Sequence, residues 1–121
     1  MRTASSMRRG DIVLVRLDPA EGSEAAKTRP VVVVGRDAHT SMSVELGRGV
    51  VTIVPLTSNT ARVLSFQVFL SAAQTGLDRD SKVQAEQVRS VDVRRLGPVI
   101  GRVPRERMTD VDSALRLHLA L

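Results

Sequence analysis

Four consecutive valines at positions 31–34, directly behind Arg29 and Pro30, constrain the fold of this chain more than any other stretch. Valine is stiff at χ1 and favoured in strands, and a continuous apolar run leaves no polar face for water. Residues 31–35 therefore predict a strand buried on both faces. Pro30 fixes its own φ and restricts Arg29 to an extended backbone, so the arginine stands on a rigid entry to that strand.

Other short apolar runs, separated by turn residues, predict further strands. These runs are residues 11–17, 50–56, 66–70 and 99–103. Residues 82–87 and 88–92 predict one bent strand or two short ones. The polar stretch 36–48 ends in Gly-Arg-Gly and is expected to be a flexible loop. Many short strands at close spacing predict a mainly β (α+β) fold, built as a small barrel or strongly bent sheet.

The C-terminal segment predicts an amphipathic helix that begins near Pro104 and packs against the sheet. Its apolar positions, at steps of three and four, are Met108, Val111, Leu115 and Leu119. Ala114, Leu117 and Leu121 widen this face, so it can cover the sheet on one side and a second copy of the chain on the other. His118 lies beside the stripe and is expected to be a packing residue.

Composition limits the sites that the chain can hold. With no cysteine and only His39 and His118, disulfides and thiolate metal sites are excluded, and neither a metal nor another cofactor is expected. The net charge of +5 points to a polyanionic partner, most simply a nucleic acid, or to a basic surface without one. Only Phe66 and Phe69 are aromatic, so such a partner is held mainly by charge and hydrogen bonds.

Length and the N-terminal sequence predict one domain in a reducing compartment. The 121 residues suit a single domain. No stretch has the length and hydrophobicity of a signal peptide or membrane span, and the lack of cysteine is compatible with the cytosol, so a cytoplasmic location is expected. Residues 1–8 are expected to be a flexible leader and 9–121 the domain, with Met1 or Met7 as the start.

Three local features carry groups that can bind a phosphate or a ribose. Arg29 can present its planar guanidinium to two phosphate oxygens, although a solvated arginine paired with Glu24 is the simpler interpretation of this loop alone. Thr57, Ser58 and Asn59 close the third predicted strand and suit phosphate binding or an ordinary turn.

The third feature is the stretch AEQVRSVD. Alternation along an extended strand puts Gln84, Glu86 and Val88 on one face and Ala85, Gln87 and Arg89 on the other. One of these faces is expected to meet solvent or a site. Alternation also turns one of the two phenylalanines outwards.

Together, ordered blocks of sequence from about Arg9 to the C-terminus resemble the MazF/PemK toxins of bacterial type II toxin–antitoxin modules. The blocks are RGDIVLVRLDP, GSE with K-x-RPVVVV, VPLTSN, DS-x-V-x-AEQVRSVD-x-x-RLG, IGRVP and M-x-x-VD-x-AL. The resemblance implies an SH3-like barrel, a homodimer, and metal-independent, ribosome-independent cleavage of single-stranded RNA at short sequence motifs. It also implies a cognate MazE-like antitoxin whose acidic C-terminal segment lies across the RNA groove.

The resemblance also implies roles for individual residues. Arg29 and Thr57 match the functional pair of the family, and Glu24 or Glu86 matches the acids that can serve as general base. The positions expected to contact RNA are Lys27, Ser58, Asn59, Phe66, Gln84, Glu86 and Gln87. Where this chain has Gln84, some members carry an arginine; this leaves Arg29 as the main electrostatic group and the general acid unassigned.

Two other functions compete with RNA cleavage. A CcdB-like toxin on the same fold binds DNA gyrase, but its C-terminal tryptophan has no counterpart in this chain, which contains no tryptophan. A non-catalytic RNA-binding barrel would need the positive charge but not the pair formed by Arg29 and Thr57.

Overall fold

A computed structural model describes residues 7–17 and 28–121. The strands are β1 (Asp11–Arg16), β2 (Thr28–Val33), β3 (Val50–Thr57), β4 (Gln67–Leu70), β5 (Ser81–Gln84), β6 (Arg89–Asp92) and β7 (Leu96–Arg102). The helices are α1 (Asp37–Leu46), α2 (Ala72–Thr75) and α3 (Arg105–Leu119). Short 3-10 turns occupy Ala85–Gln87 and Val93–Arg95. Within the described ranges, no helix is both long and apolar enough to cross a membrane.

The strands form one seven-stranded antiparallel sheet with the order β4-β5-β3-β2-β1-β7, and β6 pairs with β3 as well. Strand β3 is the longest and is shared: it pairs with β2 and β6 over its first part and with β5 at its end. The mainly β (α+β) class with a C-terminal helix is confirmed. In the described part of the chain no β4–β7 pairing closes the sheet.

Strand β2 is buried on both faces, as the valine run predicts. Val32 and Val34 belong to a core cluster that includes Val111 of α3, while Val31 and Val33 belong to a second cluster on the opposite face. All four valines are buried. Each face of the sheet therefore has its own apolar core, and β2 contributes to both.

Residues 36–48 are not a loop, and that prediction was wrong. Residues 37–46 form α1, which ends at Gly47 in the left-handed conformation (φ 68°). No sequence pattern indicates this helix because it has no continuous apolar stripe: its buried residues are Thr40 and Ser43, while Met42 and Leu46 are exposed.

The alternation predicted for AEQVRSVD was also wrong, because a 3-10 turn separates β5 from β6. The chain therefore forms two short strands rather than one. Ala85 turns into the α3-side core, and Gln87 is exposed. A further short helix, α2, was not predicted; a capping box between Ser71 and Gln74 begins it.

Helix α3 is confirmed, with Pro104 as its N-cap. Its buried residues are Met108, Val111 and Ala114, and Leu115 is partly buried against the same cluster. Three leucines near the C-terminus, Leu117, Leu119 and Leu121, are exposed, so they do not pack on the sheet. The expected contact of this face with a second copy stays a prediction. His118 is exposed, and its ring centroid lies 6.0 Å from that of Phe66. Its role as a packing residue stays a prediction.

The N-terminal boundary of the domain stays a prediction, because residues 1–6 lie outside the described ranges. Met7, in the expected leader, is buried in the second core cluster. The backbone N–H of Arg8 donates to Asp11 Oδ2 (2.8 Å). Residues 7 and 8 are thus held by the sheet.

Candidate functional site

Arg29 and Thr57 lie near each other at one end of the β2–β3 pair. The last paired residues there are Val31 and Pro55, and Arg29 and Thr57 each lie two residues beyond them on their own strands. Arg29 pairs with Val15 of β1, which fixes its backbone. Thr57 pairs with Lys82 of β5. The sheet thus brings two residues that are distant in sequence to the same cavity.

Arg29 and Thr57 line one groove with a volume of about 510 Å³. Its polar lining is formed by Thr28, Arg29, Thr57, Ser58, Asp78, Arg79 and Ser81. Its apolar lining includes Leu56, Leu77 and Ile100. We call this cavity the catalytic groove, after the two residues that the family resemblance marks as functional, Arg29 and Thr57. It combines two guanidinium groups and one carboxylate with four hydroxyls, and the guanidinium and hydroxyl donors suit oxyanions such as phosphates.

The hydroxyl of Thr57 is oriented by the turn that comes after β3. Its Oγ1 accepts a hydrogen bond from the backbone N–H of Asn59 (3.2 Å). The hydroxyl proton is then left to donate to another group. Asn59 Oδ1 in turn accepts from the backbone N–H of Ala61 (3.4 Å), so Asn59 stabilises the turn. The residue is exposed and is not part of the groove lining.

Asp78 and Arg79 are groove residues that no motif in the sequence singled out. They lie in the loop between α2 and β5, which is tied to the fold at both ends. Asp80 Oδ1 accepts from the backbone N–H of Ala72 (2.8 Å), and Ser81 Oγ donates to the carbonyl of Arg79 (3.3 Å). The charged run DRD was the available signal, but only the tertiary fold places it opposite β2.

A second group of predicted RNA-contacting residues lies elsewhere, beside α3. Glu86 Oε2 accepts a hydrogen bond from Gln67 Nε2 (2.7 Å). Its other oxygen, Oε1, is buried and has no hydrogen-bond partner among the described residues. Gln84 lies opposite Gln67 in the β4–β5 register, and Phe66 is half-buried next to them in sequence. None of these residues lines the catalytic groove.

Lys82 lies between the catalytic groove and the group of residues beside α3. It pairs with Thr57 on β3 and with Phe69 on β4, so these three side chains lie on one face of the sheet. Gln84, two residues further along β5, shares that face. The Nζ of Lys82 donates to the carbonyl of Arg62. Lys82, which was not among the predicted site residues, extends the positive charge from Thr57 towards Gln84.

Two predicted site residues, Glu24 and Lys27, lie outside the described residues. Of the others, the groove brings together Arg29, Thr57 and Ser58. No group of three or more potential metal-ligating side chains occurs within residues 7–17 and 28–121.

Comparison with known proteins gives consistent results. Residues 8–119 match the family model described as "PemK-like, MazF-like toxin of type II toxin-antitoxin system". The chain is 55% identical over 115 residues to "Endoribonuclease MazF9" of Mycobacterium tuberculosis, covering 95% of this chain and 98% of that protein.

Two solved structures are also similar. "Mycobacterium tuberculosis toxin MazF-mt6" is 25% identical with a TM-score of 0.72, covering 92% of this chain and 97% of that one. A MazE–MazF structure from Deinococcus radiodurans is 25% identical with a TM-score of 0.72, covering 93% and 95% of the two chains.

Proposed function

The chain belongs to the PemK-like, MazF-like toxins of type II toxin–antitoxin systems, and we propose that it acts by cleaving single-stranded RNA in the catalytic groove. It is an endoribonuclease, as is the relative with which it shares 55% of its residues. We further propose that cleavage is sequence-specific, needs neither metal nor ribosome, and inhibits translation and growth. The observation that supports this most is that Arg29 and Thr57 line one groove.

The proposed reaction uses the substrate's own ribose as nucleophile. The 2′-OH loses its proton to a general base and its oxygen attacks the adjacent phosphorus. The bond from phosphorus to the 5′ oxygen breaks, and that oxygen takes up a proton from a general acid. The products are a 2′,3′-cyclic phosphate and a 5′-OH end, so no water or metal enters the bond-breaking step.

Arg29 stabilises the negative charge that develops on the phosphorane oxygens. Its guanidinium is always charged and can donate two parallel hydrogen bonds to two oxygens. Thr57 Oγ1 accepts a hydrogen bond from Asn59, so its hydroxyl proton is free to be donated to a phosphate oxygen. Arg79 lines the same groove and adds a second positive charge. These preorganised donors act where charge develops, which is usually the largest contribution that a site makes to such a reaction.

The general base is a carboxylate. Glu24 and Glu86 are the two candidates from the family resemblance, and Asp78 is the carboxylate that lines the catalytic groove among the described residues. Glu86 lies outside that lining and already accepts a hydrogen bond from Gln67, which favours a positioning role for it. To identify the base, each acid is replaced singly by its amide and the pH dependence of kcat/KM is measured. The fall of kcat/KM at acidic pH reports protonation of the base, so this fall should be missing in the variant that lacks the base.

The partners that we propose are a second copy of the chain and an antitoxin. The exposed Leu117, Leu119 and Leu121 of the α3 end offer an apolar surface for a homodimer. The solved relative from Deinococcus radiodurans is a MazE–MazF structure, and we propose a MazE-like antitoxin whose acidic C-terminal segment lies across the RNA groove. A basic surface favours such a segment electrostatically. We propose a cytoplasmic location for the pair.

The decisive experiment incubates the purified protein with a defined single-stranded RNA, with and without EDTA. We expect cleavage that EDTA does not prevent, with 2′,3′-cyclic phosphate and 5′-OH ends. RNA that is bound but intact would favour a non-catalytic binder, and inhibited gyrase with intact RNA would favour the gyrase-binding alternative. Activity abolished by EDTA would refute the metal-free chemistry.

A further inference from the structure

A second groove adjoins the catalytic groove, and Thr28 lines both. Its volume is about 370 Å³, and it lies at the end of β1 and the start of β7. Three arginines, Arg16, Arg94 and Arg95, contribute to its lining. We call it the arginine groove. The proposed reaction gives no role to this concentration of positive charge next to the candidate catalytic site.

Arg95 is held in place without losing its charge. Its Nη1 donates to the carbonyls of Leu17 (2.9 Å) and Arg16 (3.3 Å) at the end of β1. These acceptors are neutral, so they fix the guanidinium but do not neutralise it. Arg95 therefore both ties β1 to the segment before β7 and leaves a positive charge at the groove.

Arg94 is oriented by a carboxylate. Its Nε donates to Asp92 Oδ1 (3.0 Å) and its Nη2 to Asp92 Oδ2 (2.9 Å). These hydrogen bonds lower the pKa of Asp92 to about 2, so the pair is ionised at neutral pH. A guanidinium has five N–H donors, and the ones that Asp92 does not use remain available to another anion.

Arg16 is exposed, and its side chain has no partner in the part of the chain that the structure describes. Among the described residues, the arginine groove thus sets three guanidinium groups against one carboxylate, that of Asp92. Its apolar lining is limited to Leu14 and Pro98, with no aromatic ring on which a base could stack. Charge without a stacking surface suits the sugar–phosphate backbone rather than the bases.

Resting on the proposed function, we infer that the arginine groove binds phosphates of the RNA beyond the cleaved bond. A single strand would leave the catalytic groove at Arg29, pass Thr28, and continue along Arg16 and Arg94. Contacts of this kind position the strand and raise affinity without reading its sequence. The length of RNA that the toxin needs for efficient cleavage is then set by this groove and not only by the cleaved motif.

The test compares Arg16→Gln and the double variant Arg16→Gln/Arg94→Gln with Arg105→Gln, which removes an exposed arginine outside both grooves. Arg95 is left intact because it supports β1. The probes are fully 2′-O-methylated RNAs, which cannot be cut because they lack a free 2′-OH. One covers only the cleaved bond and its immediate neighbours, and the other carries flanks on both sides.

We expect the double variant to bind the longer RNA about tenfold more weakly and the shorter RNA with a much smaller change. The slope of log K against log salt for the longer RNA should fall by about 1.4, since each phosphate contact to a single strand contributes about 0.7. Equal losses for both lengths, or a loss no greater than with Arg105→Gln, would overturn the inference.

Two further outcomes separate the possible causes. If the double variant binds the longer RNA normally but binds a polyglutamate peptide more weakly, the groove holds an acidic peptide and the inference is wrong. If the wild type binds the longer RNA through this groove but cuts no unmodified RNA, the proposed catalytic function fails while the phosphate subsite stands.

Discussion

The α3 side of the molecule and its two grooves differ in whether their arginines are paired with acids. On the α3 side two arginines are paired with acids of the helix: Arg9 Nη2 lies 2.6 Å from Asp112 Oδ1, and Arg107 Nη1, itself in α3, lies 2.6 Å from Asp110 Oδ2. In the two grooves, four arginines have no carboxylate within salt-bridge distance among residues 7–17 and 28–121: Arg16, Arg29, Arg79 and Arg95.

This difference shows where the net charge of +5 is available to a partner. A paired guanidinium contributes packing and hydrogen bonds to the fold, but its charge is largely cancelled at a distance. An unpaired one keeps its field and its free donors. Arg9 and Arg107 therefore contribute more to stability than to the field around the protein, whereas the grooves keep unpaired positive charge. Substitutions on the two sides should separate cleavage from folding.

The largest effect is expected for Arg29→Ala. Because it removes the main donor to the phosphorane, kcat should fall by about two orders of magnitude or more, the scale seen when one transition-state stabiliser is lost. The side chain is exposed, so the melting temperature should stay near that of the wild type. Single-turnover cleavage of a defined RNA measures the effect, and a folded variant that cuts at the wild-type rate would show that Arg29 is not catalytic.

Thr57→Val should reduce cleavage by about ten- to a hundredfold, because it replaces the hydroxyl donor by a methyl group of similar shape. Thr57→Ser is the matched control, since it keeps the hydroxyl and should retain most of the activity. Comparable losses in both variants would mean that the methyl group, rather than the hydroxyl, is what the site requires.

On the other side of the molecule, Asp112→Asn should affect folding and not cleavage. The pair with Arg9 is about one-third exposed, so we expect the free energy of unfolding to fall by only about 1 kcal/mol. Denaturant titration measures this loss, and RNA cleavage below the unfolding transition should be unchanged. A large loss of kcat in a stable Asp112→Asn protein would contradict the division between the two sides.

The smallest effect concerns Asp92 and Arg94, the one ion pair in the arginine groove among the described residues. In the folded protein the hydrogen bonds from Arg94 lower the pKa of Asp92 from 3.8 to about 2. The stabilisation by this pair is therefore fully present above pH 3.8 and is lost as the pH falls towards 2. The difference in free energy of unfolding between wild type and Asp92→Asn should be small and constant near neutral pH and should vanish over that acid range.

If that difference instead persisted at the acid end of this range, Asp92 would contribute through something other than its charge. Melting curves over the acid range, recorded for Asp92→Asn beside Asp110→Asn, distinguish the two cases, because Asp110 belongs to an exposed pair within α3.

Much of the fold could be predicted from residue patterns alone. The valine run defined β2, short apolar runs defined β1, β3 and β4, and the step of three and four defined α3. Helix α1 could not be predicted this way, because it buries Thr40 and Ser43 instead of an apolar stripe. The 3-10 turn at Ala85–Gln87 was equally hidden, since its residues fit a strand as well as a turn.

Some residues of the candidate site could likewise be predicted from the sequence, and others could not. Arg29 and Thr57 were found because they lie in motifs that the family resemblance highlights, and both line the catalytic groove. Arg79 and Lys82 were missed, because only the folding of the loop after α2 and the β3–β5 register place them near Thr57. Arg16 and Arg94 are distant in sequence and meet only through the β1–β7 pairing, which no local pattern reveals.

That pairing has a consequence for the order in which the fold is completed. Asp11 pairs with Arg102, so β1 completes its hydrogen bonds only after β7 has been synthesised. Helix α3, which covers one of the two cores, is synthesised later still. Such long-range contacts must wait for their distant partners. Both grooves also take lining residues from the segment just before or within β7, so a nascent chain that lacks this segment cannot yet form either groove.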